Sequence, residues 1–199
     1  MDQAALENII ANEAALADCL ANSFRNFHAR GLDYICLKRT PGHTQKLYML
    51  DGDVAKLPKV VCPHDHRYDF KSTVLAGKMA NQSYEIGTGT VFNAFDFYTP
   101  LKGGDGFVWR EETELALVRE SEYERGEYYL SAGAAVHTIS MRADQTVVLL
   151  DQYADRLPSN QPTTTFVPDR QPPSLDGLYD RFTADQLISR VRLIGSLLQ

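Results

Sequence analysis

Three histidines carry the chemistry this sequence can offer. His64 and His66 stand one residue apart in "CPHDHRYDFKSTVLAG" (62–77), and His137 stands in "RGEYYLSAGAAVHTISM" (125–141). A neutral imidazole offers a lone pair near neutral pH, which makes histidine a common ligand for divalent transition metals. If 62–76 is one extended strand, alternation puts Cys62, His64, His66, Tyr68, Phe70, Ser72, Val74 and Ala76 on one face. Pro63, Asp65, Arg67, Asp69, Lys71 and Thr73 take the other. Two imidazoles among apolar groups need hydrogen-bond partners or a shared ion, because unpaired burial of polar groups is costly. Alone, the His-x-His pair fits a metal site and two structural histidines equally. His137 on a neighbouring strand would complete three facial ligands and leave other positions open for water, oxygen or substrate.

The elements that must position these residues are mostly strands. From Tyr34 to Tyr153 the chain runs through short β-branched and aromatic stretches such as "YICL", "KLYML", "TVLAG", "VFNAFDFY", "ELALV", "EYYL" and "TVVLLDQY", separated by Gly, Pro, Asn and Asp. Many short strands with no helices between them argue for an antiparallel sandwich or barrel rather than βαβ units. Before them, Leu16, Leu20, Phe24 and Phe27 form a stripe at helical period within 4–28, with Gly31 as terminator. After them, 158–177 holds five prolines and reads as an extended strap. "TADQ" (183–186) then has the form of a capping box, with Leu187, Val191, Ile194 and Leu198 following at helical spacing. The expectation is one domain over 1–199: an N-terminal helix in 1–31, a barrel over 34–153, a strap over 154–182 and a closing helix over 183–199.

Composition narrows the function. A chain of 199 residues can bury a sizeable core, and a formal net charge of -6 without a basic cluster opposes nucleic-acid binding. No run of about 18 apolar residues suggests a membrane span, and the acidic start "MDQAALENII" does not read as a secretion signal. Cys19, Cys36 and Cys62, odd in number and far apart, do not read as a disulfide framework, so a reducing cytoplasm is the expected home.

The two histidine motifs resemble the signatures of the cupin superfamily. His64, His66 and Gly77 fall in register with the first, and Gly126 and His137 have the separation of the second, where Ala132, Ala134 and Met141 replace the usual Pro, Gly and Asn. The resemblance spans about residues 34–153 and implies an all-β, cupin-type jelly-roll barrel with flanking N- and C-terminal helices. It departs from the family at the acidic ligand, whose place is taken by Phe70; the neighbouring Asp69 points outward by alternation and would need a bulge to reach an ion. A three-histidine site of this kind is similar to that of the thiol dioxygenases.

That resemblance implies a mononuclear Fe(II) site, with Ni, Mn, Zn or Co as other metals it could take, and a small carboxylate-bearing substrate together with O2. It implies that Arg39, in "LKRT", binds the carboxylate and that Tyr153 lines the site. Leu149 and Asp151 stand where the family's serine and histidine precede that tyrosine. Tyr68 and Phe70 would serve as pocket walls. If Tyr153 faces inward, so does Asp151, which could then accept a hydrogen bond from a substrate amine or a ligand imidazole. His28 and His43 lack a partner pattern and read as surface residues, and Cys62 reads as packing. The segment 93–112 reads as a hairpin loop over the barrel mouth, with Phe107 or Trp109 shaping the pocket. Two other readings stay open: a cupin isomerase, lyase or hydrolase that uses its metal as a Lewis acid, and a non-catalytic ligand-binding module. A homodimer also stays open.

Overall fold

A computed structural model describes residues 3–50, 54, 62–99, 104, 106–158, 160–172 and 174–199. Two helices lead the chain, α1 (Gln3–Ala11) and α2 (Glu13–Asn22). Nine strands follow: β1 (Leu32–Thr40), β2 (His43–Leu50), β3 (Tyr68–Ala76), β4 (Lys78–Tyr98), β5 (Gly106–Glu124), β6 (Tyr128–Ser131), β7 (Val136–Met141), β8 (Val147–Asp155) and β9 (Thr163–Val167). Helix α3 (Ala184–Leu197) closes the described fold. The strands form two antiparallel sheets rather than a closed barrel among the described residues: β1-β2-β8-β3-β6, and β5-β4-β7 with β9 also paired to β4.

Strand alternation gives the first sheet two apolar faces. Its outer face carries Ile35, Leu47, Met49, Val147 and Leu149, which pack with Leu6, Ile9 and Cys19 of the leading helices and with Leu187, Val191 and Ile194 of α3. Burying each such side chain contributes about 1.5–3 kcal/mol, so the helices are held by this face more than by their own propensity. The inner face carries Leu32, Leu50, Phe70, Val74, Val148 and Leu150, which pack with Met79 and Met141 of the second sheet. The expected capping box of α3 is present: Gln186 N–H donates to Thr183 Oγ1 (3.3 Å) and Thr183 N–H to Gln186 Oε1 (3.0 Å).

The expected single N-terminal helix is broken. Asn12 caps α2 by accepting from Ala14 N–H (3.0 Å) and Ala15 N–H (3.1 Å), which starts a second helix. Phe24 and Phe27 lie beyond that helix; they pack on Tyr34 with ring centroids 6.2 and 4.6 Å away, so their helical spacing was coincidental. The strap is not uniformly extended loop, since β9 adds to the second sheet against Asn93–Phe97. The expected loop 93–112 is largely strand: β4 and β5 make one long hairpin, and Trp109 donates to Asn93 Oδ1 at 3.1 Å. Positions 100–103 and 105 of that segment lie outside the described residues. Among the described residues no helix is long and apolar enough to cross a membrane.

Candidate metal centre

The expected continuous strand over 62–76 begins only at Tyr68. Residues 63–66 belong instead to the second sheet, where they bridge β7 and β9. His64 N–H donates to His137 O (2.9 Å), His137 N–H to His64 O (3.0 Å), and Phe166 N–H to Pro63 O (2.8 Å). Asp65 turns toward β9, accepting from Thr164 N–H at 2.7 Å. The chain then crosses to the first sheet as β3. His64, His66, Tyr68 and Phe70 are therefore placed by a crossing segment.

This route brings three imidazoles together. One ring nitrogen from each of His64, His66 and His137 lies within 4.8 Å of the others, and the Nε2 atoms of His66 and His137 are 2.9 Å apart. A ligand nitrogen sits about 2.0–2.1 Å from a first-row divalent ion, so two ligands at roughly a right angle lie ~3 Å apart, which this spacing matches. The donor set fits as well. His64 Nδ1 lies 2.9 Å from Cys62 O and His137 Nδ1 lies 2.7 Å from Asn81 Oδ1. Each oxygen is an acceptor, so each Nδ1 holds the proton and each Nε2 is left with its lone pair.

Burial keeps the three rings neutral. It lowers the pKa of His64, and lowers that of His66 well below the ordinary value, with the charges of His64 and His137 adding to the effect. His137, 4% exposed, is pushed down to about 3 by burial and then by His64. Neutral imidazole is the form that binds metal. Phe70 packs its ring 4.9 Å from that of His66 and 5.4 Å from that of His137, and Tyr129 lies 6.0 Å from Phe70. Aromatic rings thus pack directly against the His66 and His137 imidazoles.

Asp69 does not join the cluster. Its carboxylate accepts from Gly133 N–H (2.8 Å) and pairs with Arg156, away from the imidazoles. The pairing of β3 with β8 does shift between Tyr68 and Phe70, yet this irregularity leaves Asp69 pointing outward.

Two other expected site residues face the wrong way. On β8, Val148 and Leu150 face the second sheet, whereas Asp151 and Tyr153 share the outer face with Leu149. Asp151 there bonds His43 Nε2 and Gln45 Nε2, both at 3.0 Å, and Tyr153, 44% exposed, stacks on His43 at 6.2 Å. The residue of β8 that faces inward between them is Gln152. His43, expected at the surface without a partner, is thus paired; His28, exposed, brings its ring to 6.4 Å from that of His64 and its Nδ1 to 3.1 Å from Tyr179 Oη.

The first sheet adds a group that the motifs did not reveal. Tyr68 stands next to the cluster, its ring 5.2 Å from that of His66. Its hydroxyl accepts a hydrogen bond from Lys46 Nζ at 3.1 Å. Arg39 reaches the same neighbourhood because β1 shifts register between Cys36 and Lys38, which moves Arg39 onto the face of Tyr34. Its guanidinium donates to Tyr34 Oη at 2.9 Å.

No protein-family model matches this chain, and no curated protein does. Solved structures with similar architecture include hydroxypropylphosphonic acid epoxidase from S. wedmorenis, at 14% identity and a TM-score of 0.40 over 67% of this chain and 56% of that one. They include Streptomyces albus HEPD with 2-hydroxyethylphosphonate and Fe(II) bound, at 11% identity and 0.41 over 68% and 25%. A cupin superfamily protein from Desulfitobacterium hafniense aligns at 10% identity and 0.37 over 62% and 78%. The chain thus spans about half the length of the epoxidase and a quarter of HEPD.

Proposed function

We propose that this chain is a cupin-type, mononuclear metal-dependent enzyme with His64, His66 and His137 as ligands, and that it is a non-heme Fe(II) dioxygenase acting on a small carboxylate-bearing thiol or amino acid. The observation that carries the reading is the convergence of three neutral imidazoles with no carboxylate among them. Such a donor set leaves the full charge of a divalent ion in place, which favours an anionic substrate donor such as a thiolate. When bound, Fe(II) supplies the Lewis acidity that deprotonates the thiol and the redox partner for O2; for a thiol the overall change is R–SH + O2 → R–SO2H, with no outside reductant.

The chain's own residues do the rest. Cys62 O and Asn81 Oδ1 hold the His64 and His137 rings with Nε2 free. Phe70 and Tyr129 wall off solvent behind them. Tyr68 lines the approach from the first sheet, and Arg39, held on Tyr34 Oη, stands farther along it. Tyr153 and Asp151 have no part in the proposal, because they lie on the outer face.

Metal analysis after aerobic purification, followed by oxygen-electrode assays of the iron-loaded protein, tests the reading. The expected result is close to one equivalent of metal per chain and oxygen uptake driven by a small thiol or amino acid. Less than about a tenth of an equivalent of any transition metal would overturn the metalloenzyme. Full occupancy without oxygen uptake on any small thiol or amino acid would leave the Lewis-acid alternative in its place.

A further inference from the structure

Lys46 is a buried cation without a counter-anion among the described residues. It is 3% exposed on the inner face of β2. Its Nζ donates to two neutral acceptors, Tyr68 Oη (3.1 Å) and Gln152 Oε1 (3.0 Å). Among the described residues it forms no ion pair, and Asp155, the carboxylate whose charge it feels, is bound by Arg67 at 3.1 Å. Three tyrosine rings surround the ammonium, with centroids 5.0 Å (Tyr68), 5.2 Å (Tyr34) and 5.6 Å (Tyr48) away. Cation–π contacts at these distances offset part of the desolvation cost, but they supply no negative charge.

The position of this cation relative to the histidines gives it a use. The Tyr68 ring lies 5.0 Å from Lys46 Nζ and 5.2 Å from the His66 ring, so one tyrosine contacts both the ammonium and the ligand cluster. Lysine has three donors, and the two protein acceptors leave one for a ligand. Arg39 hydrogen-bonds the Tyr34 hydroxyl, so a second fixed positive charge borders the same cage.

Resting on the reading of the three histidines as a reaction centre, we propose that Lys46 anchors the substrate's carboxylate, with Tyr68 as the wall that anchor and centre share. Arg39 then contributes long-range attraction at the edge. A carboxylate on Lys46 completes the missing ion pair, whereas a neutral isostere leaves the ammonium uncompensated, so the site selects acids over amides. Burial and the neighbouring Arg39 lower the Lys46 pKa to about 7, the response expected of an ammonium lacking an anion.

The test is anaerobic calorimetry on the full-length protein, first metal-loaded and then metal-stripped, with 3-mercaptopropionate and its amide, 3-mercaptopropanamide. Wild-type protein is expected to prefer the acid by at least about tenfold in both forms, the size of one charge-assisted hydrogen bond. Lys46→Met is expected to bind acid and amide alike while holding as much metal as wild type; Arg39→Gln should keep most of the preference. The proposal is overturned if Lys46→Met retains the acid preference, if wild type shows none, or if Arg39→Gln alone abolishes it. Metal content is read separately, so a protein that holds no metal but prefers the acid through Lys46 sinks the metalloenzyme and leaves the anchor standing.

Discussion

Replacing Lys46 by methionine should stabilise the protein, and by an amount that depends on pH in a calculable way. Burial lowers the folded-state pKa of Lys46 from 10.5 to about 7, with the charge of Arg39 adding to it. Below about pH 7 the lysine is charged in both folded and unfolded chains, and the whole cost of burying it is present. As pH rises through the folded pKa the buried amine discharges while the unfolded one does not, so the cost shrinks and is gone above about pH 10.5. At ~1.4 kcal/mol per pK unit, the penalty is about 5 kcal/mol near pH 6 and about 2 kcal/mol near pH 9. Methionine removes it but also leaves Tyr68 Oη and Gln152 Oε1 without their donor and ends the contacts with three rings. Those losses cost about 2–3 kcal/mol and do not vary with pH in this range. Burial raises the Tyr68 pKa, so its hydroxyl keeps its proton throughout.

The net expectation is a variant about 2 kcal/mol more stable than wild type near pH 6, with that advantage falling by about 2–3 kcal/mol by pH 9. Equilibrium urea unfolding of both proteins at the two pH values, with chelator present so that metal binding adds nothing, measures it. The change with pH is the sharper quantity, because the contact losses cancel from it. An advantage that stays constant between pH 6 and pH 9, or a variant less stable than wild type near pH 6, would refute the description of Lys46 as an uncompensated buried charge.

Three further outcomes follow from the same geometry. Asn81→Leu removes the acceptor that holds His137 Nδ1 and should weaken metal binding about 10- to 100-fold in a chelator competition, with the far-ultraviolet circular dichroism unchanged. Gly77→Ala should cost about 2–4 kcal/mol in urea unfolding, since position 77 has φ +73° and a Cβ there would stand 2.4 Å from Thr146 Oγ1 and 2.8 Å from Thr146 Cα. Asp69→Asn should leave metal content at the wild-type level; loss of metal in that variant would mean that Asp69 is a ligand after all.

What could be read from the sequence depended on whether a strand has one apolar face or two. The segment from His64 to Val74 alternates cleanly even though its first residues belong to the other sheet, whereas Ala76, expected on the same face, packs with the helix-facing cluster because the pairing of β3 with β8 shifts between Val74 and Ala76. "TVVLLDQY" does not alternate: Val147, Val148, Leu149 and Leu150 are all buried, because the sheet is covered by helices on one face and by a second sheet on the other. A strand buried on both faces gives no parity signal, and a one-residue error turns every later side chain over. Asp151 and Tyr153 were misplaced for that reason. Arg39 was assigned to the site by resemblance alone, since the register shift before Lys38 that turns it inward leaves no trace in composition. Lys46 did have a signal: in "KLYML" it shares parity with Tyr48 and Leu50, so a lysine on the inner face could have been singled out. The cage itself could not, because Tyr34, Tyr48 and Tyr68 come from three strands that only the topology brings together.

Phe70 and Lys46 have a common electrostatic consequence. A carboxylate at the position of Phe70 would lower the net charge of a divalent centre and would add a negative charge to the inner face that also carries Lys46. With phenylalanine there, its ring packed on Tyr129 and 4.9 Å from His66, neither a bound divalent ion nor Lys46 would be balanced by an acid among the described residues. The imidazoles bring no charge, Asp69 is committed to Gly133 and Arg156, and Asp155 to Arg67. In the proposed site, both halves therefore lack negative charge among the described residues for the same reason, that the nearby acids are tied up outside it. A ligand that is anionic at both ends, such as a thiolate with a carboxylate, supplies one charge to each half, whereas a neutral or singly charged ligand leaves one of them uncompensated. Selectivity in such a site comes from the penalty on incomplete ligands as much as from the attraction of complete ones.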